Sequence, residues 1–530
     1  MQQILHLKLL PAEAMDEQLL RLQIARASGQ QIDQLTGFQI LKRSIDARGR
    51  QAWIMVSLLA FFNEPFLHRE TATFHFRDVS RAPRRVIIIG AGPAGLFAAL
   101  KLIEAGIQPL LLERGKDVRA RRRDLALLNK EGIVQPDSNY CFGEGGAGTY
   151  SDGKLYTRSN KRGDVNRILG LLVHFGAREN ILYDAHPHIG TNKLPQIITA
   201  MRQGILDCGG IFQFEKKVTD LRLENDRIAE VMTADGDRIA ADAVILATGH
   251  SARDIFELLH RKGILIESKP FALGVRIEHP QTLIDRIQYH CMPAGMSMGS
   301  PPLRPALLPP ASYSLVEQFR GKGVFSFCMC PGGIIAPAAT NPGEIVVNGW
   351  SPSKRDNPFA NSGIVISVEN KDIPDFSGYG PLAAMKFQES VEQRAYQLGG
   401  GRMVAPAQRM DDFVSHRISS SLPHCSYLPG IRSVSLHDVL PVFVSEGLCH
   451  AFKAFGKKMK GYFTNEAVLV ATESRTSSPV RIPRDAAGLQ HPHITNLYPC
   501  GEGAGYAGGI MSAAMDGERV AEVLARKLAS

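Results

Sequence analysis

Cysteine is scarce in this chain: eight residues are scattered over 530 positions, too thinly for a disulfide framework. No two are spaced C-x-x-C, which removes the usual zinc and thioredoxin-type readings. Long hydrophobic runs are also missing. The longest, Ala52 to Phe62, is too short to span a bilayer, so no membrane partner is expected. Met1-Gln-Gln-Ile lacks the basic region, apolar core and cleavage site of a signal peptide, and the expected location is cytoplasmic. Internal repeats and low-complexity tails are absent. Acidic residues are the minority charge, 52 against 61 basic, giving a net +9 that favours anionic ligands. That charge is spread along the chain, with only Arg119 to Arg123 and Lys457 to Lys460 as short clusters, so a solvated basic surface is expected rather than a nucleic-acid track. Histidines 186, 188, 491 and 493 form H-x-H pairs beside prolines without a carboxylate at ligand spacing, and no metal site is expected.

The most informative stretch present is Val86-Ile-Ile-Ile-Gly-Ala-Gly-Pro-Ala-Gly95. Four β-branched residues make a buried strand, and Gly90, Gly92 and Gly95 then set a G-x-G-x-x-G turn into a helix. Gly90 allows the tight turn, Gly92 lets backbone approach a pyrophosphate, and Gly95 lets the helix pack on the strand. The helix Leu96 to Ala105 would present its positive end and free N–H groups to that pyrophosphate, with Pro93 and Ala94, between the last two glycines, among the expected contacts. A second strand, Gln108 to Leu112, closes on Glu113, which stands 23 residues after Gly90, where a ribose-binding acid belongs. The chain is therefore read as binding a dinucleotide.

The length calls for two or three domains. Residues 1–80 alternate strand-like and helix-like segments (Ile4 to Leu10, Ala14 to Ala27, Phe38 to Ile45, Ala52 to Leu59), a small N-terminal α+β domain. Residues 84–265 carry the βαβ unit, a helix from Leu194 to Leu206, a β-meander (Lys217 to Leu223, Arg227 to Thr233, Asp237 to Ala240) and the apolar strand Ala243-Val-Ile-Leu-Ala-Thr-Gly249. Residues 266–490 are proline-rich, with loops at Ser300-Pro-Pro-Leu-Arg-Pro and Leu308-Pro-Pro310, and read as an inserted α+β substrate domain. Residues 491–530 return to strand, glycine turn and helix. The expected fold class is α/β: a discontinuous Rossmann-type domain with a meander, interrupted by the insert.

Further glycine clusters decide which dinucleotide. Gly143-Glu-Gly-Gly-Ala-Gly-Thr-Tyr-Ser-Asp-Gly-Lys-Leu155 offers bare backbone to a flat ring, and Ala247-Thr-Gly249 ends a strand. Gly501-Glu-Gly-Ala-Gly-Tyr-Ala-Gly-Gly-Ile510 places five glycines in nine residues before a helix, a second positive helix end that favours the flavin of FAD over NAD. With Lys42-Arg-Ser-Ile-Asp-Ala-Arg48, Gly249-His-Ser-Ala-Arg-Asp254, Phe327-Cys-Met-Cys-Pro-Gly-Gly333 and Glu473-Ser-Arg-Thr-Ser-Ser-Pro479, these stretches resemble the bacterial family of uncharacterised FAD-dependent dehydrogenases within the glutathione-reductase-like flavoprotein superfamily. The resemblance covers nearly the whole length. It implies noncovalent FAD, with Gly92 to Gly95 on the pyrophosphate, Glu113 on the adenosine ribose, and Arg114 and Arg121 on the adenosine side. Gly145, Gly146, Ala147, Gly148, Thr149, Gly508, Gly509 and Ile510 would line the flavin. Ser151, Asp152, Gly153, Lys154, Val218, Ala247, Thr248, Gly249, Gly501 and Glu502 complete the expected cofactor set.

Candidates for chemistry are fewer. Lys154 is a cation able to stabilise reduced flavin, His250 an acid or base, and Cys328 and Cys330 a thiol element whose spacing argues against a mutual disulfide. Arg475, with Ser477 and Ser478, offers a fork for an anionic substrate or the flavin phosphate, and Tyr506 a shield for the flavin ring. No second G-x-G-x-x-G follows a strand, and Gly399-Gly-Gly401 reads as a helix C-cap, so NAD(P)H would act without a domain of its own. The expected function is an FAD-dependent oxidoreductase transferring hydride between a small molecule and flavin N5, with NAD(P)H as a possible reductant. A rival expectation is a flavin-carrying RNA-binding or RNA-modifying protein, using Lys42, Arg43 and Arg48. A third is a flavoprotein whose FAD is structural.

Overall fold

The computed structural model describes residues 1–70, 72–157, 163–290 and 307–529. The Ser300–Pro305 loop lies outside them, whereas Leu308–Pro310 is described and irregular.

Apolar alternation with period two builds the N-terminal sheet. Leu5, Leu7 and Leu9 of strand Gln2–Leu9 point inward, and this strand pairs antiparallel with Trp53–Phe62, which pairs in turn with Leu35–Asp46. Helix Glu17–Ser28 covers the sheet; Asp16 accepts the Leu19 N–H at 3.0 Å, and Gly29 ends it at φ 71°. Arg43 of strand Leu35–Asp46 pairs with Asp184 at 2.8 Å, and Arg48, just past its end, pairs with Asp46 at 2.7 Å.

Five parallel strands form the second sheet, in the order Leu497–Pro499, Ala243–Leu246, Arg85–Ile89, Gln108–Leu112 and Ile211–Gln213. Four of its strands are buried on both faces, as parallel strands require, and the edge strand Ile211–Gln213 is half-buried. Val86 and Ile88 face a core with helices Pro93–Glu104, Val165–His174, Leu194–Asp207 and Ile510–Ala529. Ile87 and Ile89 face the opposite core, with the meander Val218–Glu224, Arg227–Thr233, Arg238–Ile239 and helix Arg253–Arg261. The last strand and helix therefore complete the sheet begun at residue 85. Gly517 lies against Ala94, where any side chain would strike the Ala94 carbonyl, so the first and last helices pack backbone to backbone.

The third sheet has seven strands, ordered Val316–Phe319, Lys322–Cys330, Phe359–Val368, Phe271–Pro280, Val468–Glu473, Ala405–Arg409 and Ile431–Ser433. All neighbouring pairs are antiparallel except the last. Helices Ala383–Gly399 and Val442–Lys458 cover it, and Gly400 caps the first at φ 98°. The N-terminal sheet shares one continuous core with this sheet, through residues such as Leu58, Leu273 and Ile366, rather than with the five-stranded one it precedes in the chain.

Candidate functional site

A cavity of about 690 Å³ opens where the carboxyl ends of the parallel strands meet the seven-stranded sheet. That is the range of small-molecule and cofactor sites, at the position where open parallel sheets bind ligands. Two helix starts line it: Gly92, Pro93 and Ala94 of one, and Gly508 to Ala513 of the other. First-turn N–H groups have no intrahelical partner, and Gly92 has no side chain to cap them.

The three motif glycines do separate jobs. A Cβ at Gly90 (φ 103°) would lie 2.5 Å from the Ala247 carbonyl, and one at Gly95 would strike the Gly90 carbonyl. A Cβ at Gly92 would meet only Gly146 Cα, at 3.9 Å, because beyond it is cavity. Buried Glu113 accepts the Ala91 N–H with Oε2 and those of Gly115 and Gly143 with Oε1, each at 2.9 Å. It thereby ties the first turn, its own strand end and the glycine loop together, and still lines the cavity. Gly503 packs against Gly249, joining the third glycine cluster to the strand end Ala247–Gly249.

The cavity wall includes Gly90, Gly92, Pro93, Ala94, Glu113, Arg114, Gly146, Ala147, Gly148, Ser151, Asp152, Gly153, Lys154, Val218, Ala247, Thr248, Gly249, Glu502, Gly508, Gly509 and Ile510, all expected from sequence. Lys154, His250, Cys328 and Arg475 line it too. Gly95, Arg121, Gly145, Thr149, Gly501 and Cys330 do not. Arg121 is fully buried, donating to the carbonyls of Asn139, Tyr140, Glu144 and Gly146 at 2.7–2.9 Å. It holds the glycine loop in shape from behind rather than meeting a ligand. Thr149 likewise donates to the Glu144 carbonyl at 2.6 Å.

Other side chains are occupied differently from the sequence reading. Arg114 stacks over Phe142 and pairs with Asp137 and Asp254. The Arg475 guanidinium, read as an anion fork, is spent on Glu344, Glu392 and Thr340, and Ser478 donates to the carbonyls of Val480 and Gly503. Burial and the nearby Glu392 push the Glu344 carboxyl up. Against burial, Arg253 and Arg475 hold Glu392 below the usual carboxylate range. Tyr506 is not in the wall; its ring lies under Arg484, 3.8 Å from the centroid, and its hydroxyl accepts the Arg484 N–H. Both His250 ring nitrogens are engaged, with the Arg475 carbonyl at 2.9 Å and Ser251 Oγ at 3.3 Å.

At the other end of the wall Lys154 Nζ lies 3.8 Å from Cys328 Sγ, 3.7 Å from Cys330 Sγ and 3.6 Å from Asp152. It also donates to the Met329 carbonyl. Burial works against the ammonium, but the two sulfurs and Asp152 raise its pKa. Asp152, opposed by burial, is brought down to about 2 by Lys154 and Arg355, and burial lowers His188 beside it to about 4. Arg276, Asn348 and Arg355 reach this corner from strands and a loop of the insert, were not singled out in the sequence and carry no motif; His188, from the first H-x-H pair, stands 3.8 Å from Asp152. Lys217, also in the wall, directly precedes the meander's first strand, Val218–Glu224, and was the most findable of the missed residues. Elsewhere, His416, His437 and Cys449 bring three possible metal ligands within 4.8 Å; none lines the cavity. Among the described residues no helix is long and apolar enough to cross a membrane.

The donor set suits a dinucleotide: two uncapped helix starts for negative charge, a buried carboxylate for a diol, and glycines where backbone must approach. Comparison with known proteins agrees. Residues 84–127 match the FAD binding domain family, residues 270–476 the family described as FAD-dependent protein, C-terminal domain-like, and residues 1–61 a domain of unknown function. Among solved structures, flavin-dependent brominase Bmp2 aligns over 84% of this chain and 79% of its own at 13% identity (TM-score 0.35). Tetracycline destructase Tet(51) aligns over 84% and 81% at 12% identity (TM-score 0.34). Neither overlap is close enough to indicate a reaction. An uncharacterized protein of Clostridium beijerinckii is 38% identical over 534 residues, covering 97% of this chain and 96% of its own. The chain belongs to the same family as that clostridial protein, and it is an FAD-dependent flavoprotein.

Proposed function

We propose that the chain is an oxidoreductase of the glutathione-reductase-like type that acts on a small molecule, with residues 84–265 and 491–530 as its FAD-binding domain, 266–490 as its substrate domain and 1–80 as a separate N-terminal unit. The observation that carries this reading is the meeting of both glycine-led helix starts, Gly92–Ala94 and Gly508–Ala513, in one cavity with Glu113. Bound there, FAD supplies hydride transfer, while the protein supplies position and charge.

Gly92 and the first-turn N–H groups after it would hold the pyrophosphate, and the free lone pairs of Glu113 would accept ribose hydroxyls. The start of helix Ile510–Ala529 favours negative charge at the redox end of the ligand. Ile89 and Leu112, beside Glu113, and Val218 give the cavity an apolar surface. Lys154 adds a fixed positive charge beside Asp152, and the cavity continues past it toward Phe327, Asn348 and Thr476, where a small substrate would fit.

Anaerobic mixing of the FAD-loaded protein with NADH and with NADPH tests the assignment. One of the two is expected to bleach the flavin absorbance near 450 nm within seconds, on the order of ordinary turnover. Bleaching by dithionite alone, with no response to either nicotinamide, would favour a structural flavin.

A further inference from the structure

Strand Lys322–Cys330 loses its regular register with Phe359–Val368 between Phe327 and Cys330, and Cys328 takes φ 47°, a left-handed conformation unusual for cysteine. The bulge turns Cys328 into the cavity wall while Cys330 stays fully buried behind it. Two cations close on the pair. Lys154 Nζ stands 3.8 and 3.7 Å from the two sulfurs, and Arg276 Nη2 lies 3.5 Å from Cys330 Sγ and 2.6 Å from the Cys328 carbonyl. Arg276 is otherwise held by Glu473 at 2.8 Å, Asn361 at 2.9 Å and Asn348 at 3.3 Å, so it cannot turn away.

Charge balance then asks for an anion. Lys154, Arg276 and Arg355 bring three positive charges to this network, against the two carboxylates Asp152 and Glu473. Burial also pushes Glu473 up to about 7, which weakens its share, and His188 contributes no positive charge at neutral pH. A thiolate on this pair would supply the missing charge, and of the two sulfurs' residues it is Cys328 that lines the cavity. The hydrogen bond from Cys330, then Lys154 and Arg276, lowers the Cys328 thiol well below its ordinary value although burial opposes them; burial pushes Cys330 well above its own.

We propose that Cys328 is the nucleophile of this cavity, a thiolate that adds to an alkene conjugated to a carbonyl and so tethers that substrate in the flavin site. The inference rests on the oxidoreductase reading for its meaning and deepens it by naming a substrate class. In the addition the sulfur lone pair forms a C–S bond at the β-carbon, the alkene pair moves to the carbonyl oxygen, and a proton from water completes the α-carbon. A soft, polarisable sulfur suits this carbon, and the Lys154 ammonium, 3.8 Å from that sulfur, would stabilise charge developing on the oxygen. Reversal releases the alkene unchanged.

N-ethylmaleimide, itself an activated alkene, is the probe, used on the full chain with and without FAD and read by peptide mass spectrometry. At pH 6 an ordinary thiol is under about 1% thiolate, so Cys328 should label at least about tenfold faster than free cysteine even after its lower basicity is allowed for. Its rate should stay nearly flat from pH 6 to 8, where an ordinary thiol gains about tenfold per unit. Lys154→Gln should restore that ordinary slope while Cys328 remains the labelled residue, and Cys328→Ser should remove the fast adduct. Labelling of Cys141, which shares the wall, in place of Cys328, or an ordinary pH slope at Cys328 in the unmodified chain, would overturn the proposal. Fast labelling of a chain that cannot retain FAD would uphold the thiolate and count against the cofactor reading alone.

Discussion

Gly92→Leu should yield a folded protein that no longer retains FAD. The first side-chain carbon meets only Gly146 Cα at 3.9 Å, and φ at this position is −75°, which any residue adopts. The remaining leucine carbons then occupy the ground in front of the helix start, where backbone must approach the pyrophosphate. Flavin content after purification should fall from about one per chain to less than about a tenth, with circular dichroism and unfolding midpoint close to the parent's. Gly95→Leu is the contrast: its side chain would collide with the Gly90 carbonyl, so the fold itself should suffer. Loss of stability in Gly92→Leu equal to that in Gly95→Leu would mean that Gly92 is a packing residue and not a ligand contact.

Arg475→Met should destabilise the protein by about 3–5 kcal/mol, because it breaks a buried ion-pair network from one side. Two arginines, Arg253 and Arg475, face two carboxylates, Glu344 and Glu392, at 2.8–3.0 Å, and all four are buried. Removing one cation leaves Arg253 alone against two buried carboxylates. The measurement is a denaturant midpoint at pH 7, repeated for Arg475→Met with Glu344→Gln, which removes the stranded charge and should recover part of the loss. A stable Arg475→Met variant with weakened substrate binding would return Arg475 to the anion-binding role that its sequence context suggested.

That reversal shows where sequence reasoning reached and where it stopped. The first βαβ unit was legible because its constraints are local: a strand, three glycines with distinct steric duties, and an acid at fixed spacing. The convergence of residues 90–95 with 501–510 was legible for the same reason, since each cluster announces an uncapped helix start. Arg121 is the fourth residue of helix Val118–Glu131, in a basic run, and the resemblance put it on the adenosine side, yet its partners are carbonyls of a loop some 20 residues later, which no pattern marks. The partners of Arg475, Glu344 and Glu392, are more than 80 positions away on other elements. Lys154 and Cys328 are 174 positions apart, and the bulge that aims Cys328 is a property of strand register and not of composition. The attachment of the N-terminal sheet to the core of the seven-stranded sheet is long-range in the same way.

The central claim is that the two helix starts serve one flavin nucleotide. Titrating deflavinated parent protein with FAD, by calorimetry or fluorescence quenching, tests it most directly. The account predicts a single saturable site of one FAD per chain, in which the ADP portion alone competes and which Gly92→Leu abolishes. No binding, or binding that survives Gly92→Leu unchanged, would contradict it.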